Sequence, residues 1–359
     1  ERVRLTGGVP VEDGDAFVVA TSGTTGEPRG AVLTHDGVAA SARATSSRLG
    51  VAPQHDRWCC CLPLAHVGGL SVVTRALATG TRLEVLGGFD AGEVQAAADE
   101  RGATLVSLVP TTLRRLGPGA AARWRCIVLG GSAPPAGLAS NVVTTYGMTE
   151  TGSGVVYDGL PLDGVEVRIA GAGAQGAAGD EGGEIELRGP MLLRCYRDGT
   201  SPLDGDGWLR TGDAGRIGPD GRLEVFGRVA ELVVTGGENV WPAAVEAVLA
   251  RHPAVAEVAV AGLPDPEWGE RVVAFVVPRD TGATGAAPPE LAELRELVGG
   301  ELGAFAAPKQ LVVVDALPRT SIGKLRRAEL AALVLDGGTT APPRSREAAA
   351  GAAAGAATQ

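Results

Sequence analysis

Residues 21–30, TSGTTGEPRG, gather the groups that can hold a polyphosphate. Gly23, Gly26 and Gly30 carry no side chain, so backbone N–H groups around them can close on phosphate oxygens. Thr21, Ser22, Thr24 and Thr25 add hydroxyl donors. Arg29 adds a positive charge with a forked donor geometry. The pattern GxxxxGK[ST] is absent, so this is not a Walker loop. A polar turn on the surface is the plainer reading of such a segment. The density of donors favours a triphosphate cradle.

Other chemistry-bearing segments follow along the chain. They are Leu129-Gly130-Gly131-Ser132, Tyr146-Gly147-Met148-Thr149-Glu150, Thr211-Gly212-Asp213, Gly227-Arg228, Gly236-Gly237-Glu238-Asn239, and residues 318–324, PRTSIGK. Taken singly, each has an ordinary explanation. Tyr146 would be a core aromatic, Thr149-Glu150 a helix start, Asp213 a turn residue and Arg228 a surface charge. Lys324, in the basic run KLRR, would simply be solvated.

Taken in order, these segments resemble the adenylate-forming superfamily of acyl-CoA synthetases, luciferases and peptide-synthetase adenylation domains. The resemblance spans roughly Phe17 to Leu330. It implies that Tyr146 stacks on adenine, Thr149 bonds the α-phosphate and Asp213 accepts the ribose hydroxyls. Arg228 would touch the ribose or hold the inter-domain hinge. Gly130, Gly131, Thr145 and Gly147 would join the loop in binding ATP. Glu150, with Thr25, would hold Mg²⁺, a hard cation that takes carboxylate, phosphate and water oxygens. Lys324 would bridge the reacting carboxylate and the α-phosphate, stabilising charge as it crowds onto phosphorus. Residues 236–239 would line a channel for the coenzyme A thiol. Two departures stand out. The family's usual loop lysine is Arg29 here, and the hinge has Ala230 and Glu231 where the family often has Asp or Lys, then Asp.

The acyl pocket is addressed by residues 62–69, LPLAHVGG, where His66 would sit near the reacting carboxylate. Together with Arg75, VPTTLRRL and LGGSAPP, this segment resembles the o-succinylbenzoate–CoA ligases of menaquinone biosynthesis. That acid has two carboxylates, one reacting and one to be held. Arg75 is the candidate to hold it, with Ser132 and Ser153 as weaker ones; Arg75 could equally be a surface helix residue. The rival substrates are another aryl or short acid, or a separate carrier protein to be loaded. Only fourteen residues separate Gly131 from Tyr146, fewer than is usual in relatives.

These residues need elements to place them. Residues 16–21 (AFVVAT) read as a short buried strand that enters the phosphate loop. Residues 104–110 and 126–129 read as further strands, with helices at 91–101 and 111–116 between them. The alternation predicts a large layered α/β domain over residues 1–227. Alternating strands at 182–188 and 221–228 add a β-rich subdomain. Residues 228–336 read as a small, mobile α+β domain with helices at 242–251 and 289–302 and strands at 255–262, 271–278 and 310–317. Residues 337–359 are Ala, Gly, Thr and Pro with little apolar bulk, and read as a disordered tail.

Composition bounds the reading. The chain has 359 residues, enough for two domains, and 45% are apolar. The formal charge is −10, which argues against a nucleic-acid partner. No signal peptide and no run long enough for membrane insertion is visible, so a cytoplasmic setting is expected. Cys59, Cys60 and Cys61 are adjacent and alternate across a strand, so they cannot converge on one metal. A homodimer remains open.

Overall fold

A computed structural model describes residues 12–21, 28–135, 137–170, 182–279, 288–319, 325–335 and 339–340. The chain divides into two units, Glu1–Val225 and Phe226–Gln359.

The first unit opens with β1 (Asp15–Ala20) and β2 (Gly30–Thr34), an antiparallel pair in which Ala20 faces Gly30. Thr34 caps α1 (His35–Arg48), its side chain accepting from the Gly37 N–H at 3.0 Å. β3 (Arg57–Cys60), α2 (Val67–Thr79), β4 (Arg82–Val85), α3 (Ala91–Asp99), β5 (Leu105–Leu108), α4 (Pro110–Leu116) and β6 (Cys126–Leu129) alternate, as the sequence pattern requires. β7 (Val142–Met148) follows. The strands lie in the order β4-β3-β5-β6-β7, all parallel. Short apolar runs buried on both faces suit such a sheet, and β5 and β6 are buried at every residue. β8 (Ser153–Tyr157) and β9 (Leu160–Pro161) extend the edge antiparallel.

Two more sheets complete this unit. β10 (Glu166–Ala170), β11 (Gly183–Arg188), β13 (Leu209–Ile217) and β14 (Leu223–Arg228) form one. β12 (Cys195–Tyr196) pairs with the far side of β2 and forms the other with β1. β14 carries the chain across the unit boundary, two residues earlier than the sequence placed it.

The second unit holds β15 (Val233–Thr235), β16 (Glu238–Val240), α5 (Pro242–Leu249), β17 (Val255–Asp265), β18 (Gly269–Pro278), α6 (Leu291–Leu302), β19 (Gln310–Val313), α7 (Leu330–Leu335) and β20 (Thr339–Thr340). Its sheet runs β16-β15-β18-β19-β20, with β17 along β18. α5 and α6 close one apolar core with Val245, Leu249, Leu294 and Val298.

Two expectations change, and the short connection after β6 is bare among its described residues. β1 is not a buried strand: Phe17 and Val18 are 36% and 45% exposed, and β1 is the edge strand of its three-stranded sheet, paired with β2 alone. Thr339 and Thr340, inside the segment expected to be disordered, pair with Val313 and Val312. The connection 130–141 carries no helix among its described residues, although β6 and β7 are parallel. Its end is pinned by Asn141, whose Nδ2 donates to the carbonyls of Ala121 and Trp124 at 2.8 and 2.7 Å.

The cysteine run behaves as alternation predicts. Cys60 joins one core cluster, and Cys59 and Cys61 join another on the opposite face. All five cysteines are free and buried.

Candidate active site

Two backbone irregularities aim the main polar groups. β7 and β8 lose register between Tyr146 and Gly147. At Gly147 a Cβ would lie 2.2 Å from the Ser153 carbonyl oxygen, so only glycine lets the strands approach there. β11 and β13 lose register around Thr211–Asp213, where Gly212 takes φ +70°. The Gly212 N–H donates to Glu184 Oε1 at 3.0 Å, and the Thr211 hydroxyl donates to the Ile185 carbonyl at 2.8 Å. Bulges of this kind re-aim a side chain at a strand edge. Here they bring Tyr146 and Asp213 together: the phenol donates to Asp213 Oδ2 at 2.8 Å. Asp213 itself is 7% exposed.

Glu150 follows β7 in a single 3₁₀ turn, Thr149–Thr151. Its Oε1 accepts from the Tyr196 hydroxyl at 2.9 Å. Burial first, then the Glu150 carboxylate, push the Tyr196 phenol up to about 12, so it remains a donor. The Arg29 guanidinium lies 3.6 Å from the Tyr196 ring centroid and pairs with Asp198 at 2.9 Å. Arg29 also donates to the Thr200 hydroxyl. Hydrogen bonds from Thr200, then from Arg29, hold the Asp198 carboxyl down at about 2.

Whether this ground suits Mg²⁺ can be tested on Glu150. Among the described residues no three His, Cys, Asp or Glu side chains converge as a cage. One Glu150 oxygen is occupied by Tyr196, and no described residue bonds the other. A single available carboxylate oxygen fits a cation that takes its remaining oxygens from phosphate and water.

A second polar group lies inside the apolar layer. Arg75, on α2, is 2% exposed. Its Nη1 donates to Ser107 Oγ at 3.5 Å, and its Nη2 to Ser153 Oγ at 2.5 Å and Tyr157 Oη at 3.4 Å. The Trp58 ring centroid is 5.7 Å from Arg75 Cζ. Among the described residues no carboxylate pairs with Arg75, and its Nε–H has no partner. The indole N–H of Trp58 is likewise unpartnered. A buried guanidinium held only by neutral hydroxyls carries an uncompensated charge, which is unfavourable. Arg75 is thus no surface helix residue.

The remaining predicted residues fall as follows. His66 is half-buried at the start of α2, where it makes no capping hydrogen bond. Gly69 is needed beside it, since a Cβ there would meet the Leu62 and Pro63 carbonyls at 2.5 and 2.4 Å. A Cβ on Gly130 would meet the Thr145 hydroxyl at 2.5 Å, and Gly131 takes φ +88°. Ser132 is exposed, and no hydrogen bond joins it to the Arg75 group. Thr21 is buried, its N–H donating to the Arg29 carbonyl at 2.7 Å. Ser22, Gly23, Thr24, Thr25, Gly26 and Lys324 lie outside the described residues.

In the second unit, Arg228 ends β14, and residues 236–239 are exposed. Gly236 and Gly237 form the two-residue turn between β15 and β16, at φ +61° and +87°. Both central residues of such a hairpin need positive φ, which explains the glycine pair by local geometry. Glu231, at the departed hinge position, pairs with Arg327 at 2.9 Å.

Sequence reasoning missed Ser107, Tyr157, Trp58, Tyr196, Asp198 and Thr200. Ser107 carried a signal, a lone hydroxyl in an otherwise apolar strand.

The chain is similar to known proteins over most of its length. Residues 7–197 match the family described as AMP-binding enzyme, and residues 244–324 match its C-terminal domain. A probable 2-succinylbenzoate–CoA ligase of Mycobacterium tuberculosis (strain ATCC 25618 / H37Rv) is 40% identical over 344 residues, covering 90% of this chain and 85% of the relative. The o-succinylbenzoate coenzyme A synthetase (MenE) of Bacillus subtilis, solved with ATP and magnesium ion, superposes with a TM-score of 0.78. It is 32% identical, covering 90% of this chain and 72% of that one. The same enzyme with the acyl-adenylate intermediate OSB-AMP gives 0.76 at 32% identity, covering 87% and 68%.

Proposed function

Since the chain belongs to the AMP-binding enzyme family, we propose that it joins 2-succinylbenzoate to coenzyme A at the expense of ATP, in menaquinone biosynthesis. In the first half-reaction the succinyl carboxylate attacks the α-phosphorus, acyl-AMP forms and pyrophosphate leaves. In the second, the coenzyme A thiol attacks the acyl carbon and AMP leaves.

The nucleotide would lie along the first unit's irregular strands. Tyr146 would present its ring to adenine, and Asp213, bonded by the Tyr146 hydroxyl, would accept a ribose hydroxyl. Thr149 and the loop 21–30 would bond phosphate oxygens, and Arg29 would exchange Asp198 for phosphate. Glu150 and Thr25 would hold Mg²⁺, which when bound neutralises phosphate charge. Lys324 would stabilise the crowded α-phosphate, His66 would line the acyl pocket, and residues 236–239 would guide the thiol.

The observation that carries the choice of acid is Arg75. Its buried, carboxylate-free guanidinium matches the second carboxylate of an aryl diacid, with Ser153 and Ser107 as neutral donors beside it. Among the described residues no helix is long and apolar enough to cross a membrane. The reading places the reaction in the cytoplasm and leaves a homodimer to be tested by sedimentation.

A pyrophosphate-release assay over a panel of acids tests the proposal. 2-Succinylbenzoate should give the highest kcat/KM, and coenzyme A should then consume the adenylate. Preference for benzoate or a fatty acid would overturn the choice of acid. Release of pyrophosphate without thioester formation would point to a carrier protein as acceptor.

A further inference from the structure

Tyr196 stands between the two charged groups of the phosphate region. It was not among the residues that the sequence motifs single out. Its backbone position is fixed. Tyr196 pairs with Ala31 and Cys195 with Val32, directly beyond the phosphate loop. The Arg194 and Arg197 N–H groups donate to Val32 and Gly30 at 2.9 and 2.7 Å. The Tyr196 N–H closes its own turn onto the Thr200 carbonyl at 2.8 Å. Gly30 permits this approach, because a Cβ there would meet Val18 Cγ1 at 2.8 Å and Arg197 Cβ at 3.1 Å. The turn that carries Glu150 is tied to the same strand, through the Leu193 N–H and the Glu150 carbonyl at 2.7 Å.

The side chain then makes two different contacts. Its hydroxyl holds one Glu150 oxygen at 2.9 Å. Its ring carries the Arg29 guanidinium at 3.6 Å, and Asp198 and Thr200 also bond that guanidinium. Arginine and glutamate in one small region would ordinarily pair with each other. Among the described residues no ion pair joins Arg29 to Glu150. Tyr196 contacts both, its ring taking Arg29 and its hydroxyl Glu150, and a cation–π contact occupies the guanidinium face without neutralising its charge. The phenol is a neutral donor, so it orients Glu150 without neutralising that either.

We propose that Tyr196 is a positioning residue for nucleotide activation: it keeps Arg29 and Glu150 apart, one poised for phosphate and the other for a divalent cation. The proposal rests on the nucleotide reading above but not on the identity of the acid. It assigns separate work to the hydroxyl and the ring. The hydroxyl sets Glu150 for the cation. The ring keeps Arg29 from collapsing onto Glu150.

Calorimetric titration of the full chain with ATP, with and without Mg²⁺ and with no acid present, separates the two. Tyr196→Phe keeps the ring and loses one charge-assisted hydrogen bond. It should weaken ATP binding about tenfold when Mg²⁺ is present and leave Mg²⁺-free ATP binding within about twofold. Tyr196→Leu loses both contacts and should weaken binding in both conditions. Equal effects of Tyr196→Phe with and without Mg²⁺, or none, would overturn the hydroxyl's role. A Tyr196→Leu profile identical to that of Tyr196→Phe would overturn the ring's role. Failure of the wild-type chain to use 2-succinylbenzoate would sink the substrate reading and leave this result standing. Failure to bind ATP at all would sink both.

Discussion

At the scale of single residues, Arg75 shows how burial turns an ambiguous side chain into a candidate. In the sequence it is one arginine on a predicted helix, and nothing there says which way it faces. In the fold it is 2% exposed, with Ser107, Ser153 and Tyr157 as its hydrogen-bond acceptors. Hydroxyls satisfy donors but leave the charge in place, so the unliganded protein bears an electrostatic penalty that an anion would relieve. Arg75→Met should therefore separate binding from stability. Without substrate, its melting temperature should equal or exceed that of the wild type. With the diacid, the thermal shift seen for the wild type should disappear, and KM for 2-succinylbenzoate should rise by about 30-fold or more, since an unpaired buried charge partner is worth about 2–5 kcal/mol. KM for ATP should hold. A melting temperature well below wild type would mean that the guanidinium braces the core rather than awaiting an anion.

At the scale of elements, two of the five parallel strands, β5 and β6, were legible because each is a short apolar run between turn signals. β5 and β6 follow that pattern nearly residue for residue. β1 was misjudged as buried because an apolar run does not reveal how many layers will cover it; Phe17 and Val18 stay partly exposed. The bulges were not legible either. Nothing in TGD or YGMTE announces a register shift, yet those shifts place Asp213 against Tyr146. The glycines that allow them are therefore stereochemical requirements. Gly147→Ala puts a Cβ 2.2 Å from the Ser153 carbonyl, so β7 and β8 must move apart. Ser153 also holds Arg75, so the strain reaches both halves of the site. The variant should lose about 1–3 kcal/mol in urea unfolding. ATP and diacid binding should weaken together. Unchanged stability with normal binding of both would show that the register shift does not govern the site.

At the scale of the whole molecule, the chain builds two units with separate cores. Trp58, Leu105, Ile185 and Leu187 belong to one cluster of the first, and Val245, Leu294, Val260 and Val276 to one of the second. The groups suited to nucleotide and acid lie in the first unit: Tyr146, Glu150, Asp213, Arg29 and Arg75. The Gly236-Gly237 turn and Lys324 belong to the other. This division predicts that the half-reactions can be separated genetically. Lys324→Ala removes a point charge from the second unit and changes no residue of the first. If Lys324 serves only the α-phosphate transition state, the variant should bind ATP and 2-succinylbenzoate with near-normal affinity. Pyrophosphate release should fall by about 10²–10³-fold, the scale of one lost transition-state contact. Conversion of supplied acyl-adenylate to thioester should persist, because no charge then builds at an attacked phosphorus. Stopped-flow measurement of the two half-reactions gives both numbers on one preparation. Undiminished pyrophosphate release would remove Lys324 from the adenylation step. Equal loss in both half-reactions would assign it to the integrity of the second unit instead.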